Sequence, residues 1–462
     1  MVKKEAAESG NGQKSWRHGT LVYTFPGLIA LFAWLLWGDF AWAMKDRAVG
    51  PSATLLIKGF GVSDFVYTLI CVAFPNATNI ILCPVVSYIS DRHRGRLGRR
   101  IPFLIFTTPF IVAGLVGLGF TPMLGSWLYR TAGGGILSLE LSRLIFFGIF
   151  WIVLDFGTTT AGAISTALIN DVVPSALLGR FFALFRIVSL LAGMLFNFFL
   201  LGMVEEYSLY IFCGLGLIYG IGLCCLCCKV KEGAYPPPEP VPAASGVEKI
   251  FGPVLIYFRQ SFSIAYYRWV ILALVLSFLA PTIFNMFSIL YAKSLAMDMN
   301  LYGKLLTVTY GISIAVSFSL GSLADRFHPL RATIAVQICL LLTFVAGAVF
   351  TRSYISFAVV LVLYGVVSGA FYTLVAPLGA RLFPRKLFAQ FNSAFAMLQA
   401  VCNMLLGPLL GLLLDRLGSN YLYTFGFAGV ASLLAILSLW RVYVQFIRYG
   451  GDRDYAPPDP EA

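Results

Sequence analysis

The sequence predicts an all-α polytopic membrane protein in which twelve transmembrane helices form two pseudo-symmetric halves of six helices each. First, 59% of the 462 residues are hydrophobic and only 12% are Asp, Glu, Lys or Arg, whereas soluble domains average about 25% charged residues. Second, the apolar runs are continuous and do not alternate with polar residues, which favours helices over a β-barrel. Third, one long polar segment divides the runs six and six.

Each predicted span contains about 20 mostly apolar residues, the length that a helix needs to cross a hydrocarbon core of about 30 Å. In chain order, spans one to twelve are predicted at 20–44, 62–88, 101–121, 142–168, 178–203, 207–228, 268–292, 302–324, 331–350, 354–378, 390–414 and 420–446. The polar stretches predict an N-terminal tail at 1–19, an N-terminal half at 20–228, a linker at 229–267, a C-terminal half at 268–446 and a C-terminal tail at 447–462. The linker is rich in proline and charge, so we expect it to pack little.

The distribution of basic residues predicts the orientation of the chain in the membrane. Most of the 33 Lys and Arg residues lie in the two tails, the linker and the loops on the same side as these segments. Cytoplasmic loops carry an excess of Lys and Arg, so we expect both termini and the linker to face the cytoplasm of a bacterial-type inner (plasma) membrane. The net charge of +12 then reflects topology, and no nucleic-acid partner is expected.

Two related charged segments follow the second span of each half. One is SDRHRGRLGRRIPF at 90–103 and the other is GSLADRFHPLR at 321–331, while a shorter echo, GLLLDRLG at 411–418, ends span eleven. Matching loops in two halves indicate an internal repeat, which in membrane proteins is typical of alternating-access transporters. We therefore expect gate or latch residues in these loops and beside the turn before span five: Asp91, Arg92, Arg96, Arg99, Arg100, Asp171, Arg180, Asp325 and Arg326.

The first of these segments resembles a known loop signature. From position 87 to 103 it reads S-x-x-x-D-R-x-x-x-R-x-G-R-R-x-P-F. This resembles the loop between spans two and three of the major facilitator superfamily, and more closely that of the glycoside–pentoside–hexuronide:cation symporters and the plant-type sucrose transporters. Ser87 stands where those proteins usually have Gly, and Ile101 where they usually have a third Arg. The resemblance implies the major facilitator fold and secondary active transport.

A second segment, FWIVLDFGTTTAGAISTALINDVVP at 150–174, resembles span four of the sucrose transporters. The resemblance places Asp155 on the proton-coupling aspartate of that family. Thr158, Thr159, Ala161 and Gly162 stand where the plant proteins have Asn-Asn and Gln-Gly-Pro, so the resemblance does not carry over sucrose as the substrate.

Asp155 in span four and Arg186 in span five are the predicted proton-coupling residues. A carboxylate inside the membrane is costly and usually faces a cavity or a partner. Spans four and five run antiparallel, so we expect Arg186 to meet Asp155. Burial and a nearby guanidinium act in opposite directions on the protonation of a carboxyl group, so a helix movement could change proton binding. The alternative is a static ion pair that joins two helices.

Polar side chains recur on one face of each of these two spans. Polar residues follow Asp155 at i+4 and i+11 and Arg186 at i+3 and i+11, with a glycine at i+7 in both helices, spacings that mark one helix face. Asp39 is expected near the outer end of span one, where tryptophans could stack on a sugar; an interfacial aromatic belt with a solvated aspartate is the alternative. The predicted substrate-cavity residues are Asp39, Trp37, Thr159, Thr166, Ser189, Asn197, Asn285, Tyr372, Gln399 and Asn403.

The middle of span two favours a proton over sodium as the coupling ion. It contains Asn76, Thr78 and Asn79 but no acidic residue, because Asp64 lies at the outer end. A site for a hard cation needs several oxygen ligands, usually with carboxylate charge. No other cofactor is expected: the 3 histidines are spread along the chain, and the cysteine cluster at 224–228 has no histidine near it.

Composition excludes a soluble enzyme, and the lack of a nucleophile or metal cluster disfavours a membrane enzyme. The expected function is proton-coupled symport of a sugar or related small polar solute by a monomer in the lipid bilayer. A lipid or lysolipid carrier is one alternative, because the 40 Phe residues could line a cavity that opens sideways. A transporter-like sensor is another, although the linker contains no evident signalling domain.

Overall fold

The computed structural model describes residues 6–8, 14–131, 137–235, 262–326, 328–384, 387–451 and 455–458. Within these residues, twelve long helical segments follow a small antiparallel sheet, which confirms the predicted polytopic helical architecture. Over the same part of the chain, 11 helices are long and apolar enough to cross a membrane. The remaining long helix is Met299–Arg326, with 28 residues.

The bounds of the helices lie close to the predicted spans at most positions. In chain order the strands and helices are β1 (Ala6–Glu8), β2 (Lys14–His18), β3 (Leu21–Tyr23), α1 (Phe25–Lys58), α2 (Asp64–Thr68), α3 (Phe74–Arg92), α4 (Ile101–Thr131), α5 (Leu139–Val172), α6 (Leu178–Phe199), α7 (Val204–Lys229), α8 (Ala265–Ser294), α9 (Met299–Arg326), α10 (Pro329–Phe350), α11 (Tyr354–Val375), α12 (Leu378–Leu382), α13 (Phe388–Arg416) and α14 (Tyr423–Arg448).

The chain forms two compact units. The first consists of the described residues of Met1–Val62, Thr78–Phe196 and Met203–Ala244, and its closest helix packing joins α4 to α5 and α7. The second consists of the described residues of Ser63–Ala77, Asn197–Gly202 and Ser245–Ala462, and here α14 packs on α8 and α10. Two short pieces of the predicted N-terminal half thus pack with the C-terminal helices.

Span two is interrupted where the chain passes from one unit to the other. A π-helical turn at Leu69–Ala73 separates α2 from α3, and Pro75 follows directly. Proline has no backbone N–H to continue the helical ladder, so the hydrogen-bond register shifts at this point. The Asn76 side-chain amide donates to the Val72 carbonyl (2.8 Å), which gives that carbonyl a partner beside the irregular turn.

The first helix is much longer than the sequence predicted. It ends at Lys58, whereas predicted span one ended at position 44, directly before the charged residues at 45–47. Lys45 is 2% exposed, and Ala48, Ala53 and Ile57 beyond it are buried. Burial of these side chains stabilises the helix past the charged residues, because packing of an apolar face contributes more to helix stability than local propensity does.

The small sheet before α1 was also missed, because the sequence predicted only a polar tail at 1–19. Its strands pair antiparallel in the order β1-β2-β3. The turn between β2 and β3 contains Gly19 at φ +57°, a left-handed conformation that glycine adopts without strain. The Ala234 amide donates to the Thr20 hydroxyl (2.8 Å), so the beginning of the linker contacts this turn.

Close packing of α4 against α5 positions the centre of α5. A Cβ atom added to Gly114 would lie 2.7 Å from the Leu154 Cβ and 2.8 Å from its Cα. Only glycine therefore allows this approach, because even one added methyl group would force the two helices apart. Leu154 immediately precedes Asp155, so this contact fixes the depth and direction of the Asp155 side chain.

Candidate functional site

Asp155 lies at the middle of α5 and is 9% exposed. The Thr78 hydroxyl on α3 donates a hydrogen bond to one of its carboxylate oxygens. The charged group that acts on this carboxylate is the ammonium of Lys45 on α1. Three helices of the first unit thus bring a carboxylate, a hydroxyl and an ammonium into one buried site, which we call the Asp155 site (Asp155, Thr78 and Lys45).

Lys45 is held against aromatic rings. Its Nζ lies 3.9 Å from the centroid of the Trp42 ring and 5.9 Å from that of Tyr219, within the range of cation–π attraction. No salt bridge joins Lys45 to a carboxylate among the described residues, although the charges of Asp46 and Asp155 act on it. The ring faces therefore compensate part of the cost of burying this cation.

The predicted pairing of Asp155 with Arg186 is wrong. Arg186 on α6 is exposed, whereas the groups that interact with Asp155 are Thr78 and Lys45. A depth estimated from the rise per residue along span five does not give the direction in which the Arg186 side chain points. On the same helix, the Ser189 hydroxyl accepts a hydrogen bond from the Arg47 guanidinium (3.3 Å).

Asp39 also lies inside the first unit. It occupies the middle of α1, not the outer end, because the helix continues to Lys58. Its side chain is 5% exposed, and neither carboxylate oxygen has a hydrogen-bond partner among the described residues. A cavity of about 250 Å³ adjoins it, lined also by Trp42, Ser165 and Thr166. The alternative of a solvated aspartate in an interfacial belt is therefore wrong.

The other predicted cavity residues of the first unit are only partly buried. Trp37 is 43% exposed and stacks on Phe40, with ring centroids 6.0 Å apart. Thr159 is half-buried, and Thr166 lines the Asp39 cavity while its hydroxyl donates to the Gly162 carbonyl (3.5 Å). Thr159 and Thr166 lie on the helix face that their spacing predicted. The Asp39 cavity adjoins this face at Thr166.

The predicted residues of the second unit fall into separate polar contacts. Tyr364 donates to the Asn285 side chain (2.9 Å), and Gln399 donates to Asn403 (3.2 Å). The Gln399 carbonyl oxygen is buried without a partner among the described residues. Tyr372 is 38% exposed, and Asn197 is 4% exposed in this unit. The structure thus divides the predicted cavity residues between the two units.

The loop after span two forms a charged network with the end of α5, which we call the arginine cluster (Asp91, Arg99, Arg100, Asp171 and Glu232). Arg99 binds the Asp171 carboxylate through two bonds of 2.9 and 2.6 Å, and Arg100 adds one of 3.1 Å. Arg100 also forms a salt bridge with Asp91. Planar guanidinium groups suit such bidentate contacts with carboxylates. Four of the predicted latch residues therefore meet at one place.

Glu232 completes the arginine cluster, and the sequence did not predict it. Its carboxylate accepts the backbone N–H groups of Arg99 (2.9 Å), Arg100 (2.8 Å) and Ile101 (2.7 Å). These lie at the start of α4, where free N–H groups and the helix dipole favour an anion. Tyr235 donates to the same carboxylate (3.1 Å), and burial together with the nearby Asp171 and Glu232 carboxylates raises the pKa of Tyr235 above its usual range.

The remaining predicted latch residues lie outside this network. Arg92 is half-buried with its guanidinium 4.5 Å from the centroid of the Tyr88 ring, while Arg96 and Arg180 are exposed. The side chains of Asp325 and Arg326, at the end of α9, lie outside the described part of the structure.

A second network stands at the opposite end of span two, within the second unit. The Asp415 carboxylate accepts the backbone N–H groups of Asp64 (2.7 Å) and Phe65 (2.9 Å). In return, the Asp64 carboxylate accepts the hydroxyls of Ser419 (3.0 Å) and Tyr421 (2.8 Å). We call these residues the Asp64 clasp (Asp64, Asp415, Ser419 and Tyr421). It joins the start of α2 to the end of α13 by hydrogen bonds in both directions.

The most informative residues that the sequence reasoning missed are Lys45, Glu232 and Asp415. Lys45 lies just beyond the end of predicted span one, although its i+3 spacing from Trp42 places both residues on one helix face. Asp415 belongs to the GLLLDRLG echo at 411–418, which repeats the Asp-Arg of the loop after span two. Glu232 stands in a segment whose composition indicated a linker, and no local pattern marks it as the cap of α4.

Comparison with known families decides the class of protein. The sequence matches the Major Facilitator Superfamily over residues 44–405. The chain belongs to this superfamily. It is therefore a membrane transporter and carries the major facilitator fold, as the loop signature implied. A search of curated proteins found no significant match.

Solved structures of the superfamily share the fold at low sequence identity. A POT peptide transporter in complex with sulfate has a TM-score of 0.65 and 14% identity over 96% of this chain and 97% of its own. The xylose transporter XylE from E. coli, in an inward open conformation, has a TM-score of 0.58 and 12% identity over 90% and 95%. A mutant of the nucleoside transporter NupG has a TM-score of 0.63 and 9% identity over 89% of this chain and 100% of its own.

Proposed function

We propose that the protein is a proton-coupled symporter that moves a sugar or a related small polar solute by alternating access. The observation that carries this proposal is the Asp155 site, in which a buried carboxylate lies under the charge of a buried lysine. Ionisable residues inside a membrane are costly to bury and usually mark ion or proton pathways. The xylose transporters among the structural neighbours support the sugar class by analogy of fold alone.

The proton would be carried by Asp155. Burial and a neighbouring cation act in opposite directions on the protonation of a carboxyl group, so a change in the distance to Lys45 changes its proton binding. Lys45 takes the part that the sequence assigned to Arg186, because it is buried beside the carboxylate. The charged group that acts on Asp155 is Lys45 and not Arg186, so the predicted role of Arg186 in proton transfer is not part of this proposal.

Each unit presents polar side chains that can bond to a polar solute. In the first unit these are Thr159 and Ser189, which follow the faces of α5 and α6. In the second unit, Asn285 and Gln399 present amides that bond to Tyr364 and Asn403. Amide and hydroxyl groups can exchange their hydrogen bonds for those of a polyhydroxylated solute, which an apolar wall cannot do.

The two networks at the ends of span two would act as gates. Alternating access requires contacts that hold one end closed and break when that end opens. The arginine cluster, with both termini cytoplasmic as the basic residues predict, would hold the cytoplasmic end. The Asp64 clasp would hold the outer end, where the bonds between Asp64 and Asp415 must break as that end opens.

Uptake into proteoliposomes tests the proposal. Vesicles that contain the pH dye pyranine receive D-xylose, sucrose, melibiose or D-glucuronate on the outside under an inward proton gradient. We expect at least one solute to accelerate acidification of the lumen with the wild-type protein, and Asp155→Asn to abolish this acceleration because the amide cannot carry the proton. Solute-driven acidification that survives in Asp155→Asn would refute the role of Asp155.

A matched variant separates loss of coupling from loss of a negative charge. Glu206 is an exposed carboxylate on α7 of the same unit, so Glu206→Gln removes one charge far from the buried site. This variant should keep wild-type acidification. If none of the four solutes drives proton entry with either protein, sugar symport is wrong. Size-exclusion profiles of all variants in detergent check that each protein folds.

A further inference from the structure

The Asp39 cavity contains a buried carboxyl group with which no described side chain of the protein pairs. Asp39 is 5% exposed, and both of its carboxylate oxygens lack a hydrogen-bond partner among the described residues. No charged side chain in the described part of the chain acts on it, in contrast to Asp155, which has Lys45. Burying a carboxylate without a partner costs several kcal/mol or more, so a buried carboxyl group is either paired with a cation or held in its neutral form. A cationic ligand in the cavity would supply the partner and stabilise the charged form of Asp39.

The lining of the cavity restricts the chemistry of that ligand. Apart from Asp39, its polar side chains are Ser165 and Thr166, and the other walls are apolar or aromatic, among them Leu104 and Phe185. A sugar has hydroxyl groups on every side, and most of them would lose their hydrogen bonds against these walls. A hard metal cation would find too few oxygen ligands. A cation with one charged head and an apolar body fits both parts of the lining.

We propose that the Asp39 cavity binds a small organic ammonium ion, with its charged nitrogen on Asp39 and its apolar part against the aliphatic and aromatic walls. The volume of about 250 Å³ lies just below the range of about 300–1,000 Å³ that is typical of drug-sized ligands, so the ligand is smaller than these. The Ser165 and Thr166 hydroxyl oxygens can accept the remaining N–H groups of a primary ammonium.

This site is separate from the Asp155 site, although the two are close along the same helices. Trp42 lies between them: its ring packs 3.5 Å from the position of an added Cβ on Gly162, and the Lys45 ammonium lies against the same ring. On α1, Asp39 precedes Trp42 and Lys45 follows it. The proposal goes beyond solute–proton symport, and its failure would leave the role of Asp155 unchanged.

Calorimetric titration of the purified full-length protein in detergent tests the proposal. Phenethylammonium is the probe, and 2-phenylethanol is a neutral molecule of nearly the same shape. We expect the ammonium to bind at least about tenfold more tightly than the alcohol, because a charge-assisted bond to a buried carboxylate contributes more than a neutral one. Equal affinity for the two compounds would overturn the proposal, and this comparison needs no variant.

Two variants place the binding at Asp39. Asp39→Asn keeps the shape of the side chain and removes its charge, and we expect it to weaken phenethylammonium binding about 10- to 100-fold while leaving 2-phenylethanol unchanged. Asp46→Asn removes an exposed carboxylate on the same helix and should leave both affinities unchanged. Unchanged ammonium binding in Asp39→Asn, or an equal loss in both variants, would overturn the assignment.

The size of the cavity gives an independent arm of the test. The bulky tetrabutylammonium ion should not bind, because it exceeds a cavity of about 250 Å³. Binding of tetrabutylammonium as tight as that of phenethylammonium would show attraction to the protein surface and would overturn the cavity as the site.

Discussion

Removing the charge of Asp415 should destabilise the second unit by an amount that follows from its contacts. The Asp415 carboxylate accepts two backbone N–H groups at the start of α2, at 2.7 and 2.9 Å. The Ser63 hydroxyl already accepts the next N–H, that of Val66 (3.2 Å), so it is engaged and does not substitute for Asp415. The perturbation we consider is Asp415→Asn, which keeps the size of the side chain.

The magnitude follows from the change in each hydrogen bond. A hydrogen bond to a charged group contributes about 1.5–3 kcal/mol, and a neutral one about 0.5–1.5 kcal/mol. The asparagine oxygen can retain one bond in neutral form, whereas its NH₂ group cannot accept the other. The expected loss is therefore about 2–4 kcal/mol in the free energy of unfolding, or a fall in Tm of about 4–16 °C for a unit of about 240 residues.

Thermal unfolding in detergent micelles, followed by intrinsic fluorescence, measures this loss. Arg416→Gln is the matched control, because Arg416 is the next residue, is exposed and also loses one charge. We expect the control to stay within about 0.5 kcal/mol of wild type. Tyr421→Phe removes one donor to Asp64 and should cost about 1 kcal/mol. A Tm of Asp415→Asn no lower than that of Arg416→Gln would refute the structural reasoning.

Three further predictions concern the first unit. Glu232→Gln should lower stability by about 1–3 kcal/mol, measured by the same thermal assay, because it weakens the anionic cap that accepts three backbone N–H groups of α4. Gly114→Val should lower expression and Tm more strongly than any surface change, because the added atoms would overlap the Leu154 backbone. Lys45→Met should change the pH profile of solute-driven acidification, and Lys45→Arg should restore much of the wild-type profile because it keeps the positive charge.

Each of these three predictions has a control variant or a result that would contradict it. Lys231→Gln changes an exposed charge beside Glu232 and should leave Tm unchanged. Gly148→Ala adds a Cβ that meets nothing within 4 Å, so it should be neutral where Gly114→Val is not. A pH profile of Lys45→Met that superimposes on that of wild type would contradict the coupling of Lys45 to Asp155.

Composition and hydropathy were sufficient for the architecture. Continuous apolar runs of about 20 residues have few ways to satisfy their backbone groups in lipid, so the helices follow from local sequence. The same reasoning failed at α1, where tertiary packing buries Lys45 and extends the helix to Lys58. It also missed the sheet before α1, because strands of 3 to 5 residues carry too little pattern to be recognised.

The sequence by itself determined the helical membrane fold, the two-fold repeat of its loops and the candidacy of Asp155, because each depends on residue type and spacing along one helix. Only the tertiary structure decided the partners. It placed Lys45 instead of Arg186 beside Asp155, Glu232 on α4, and Asp415 on the start of α2. Helical periodicity defines a face but not what that face meets, because the contact depends on how separate segments are rotated and packed in space.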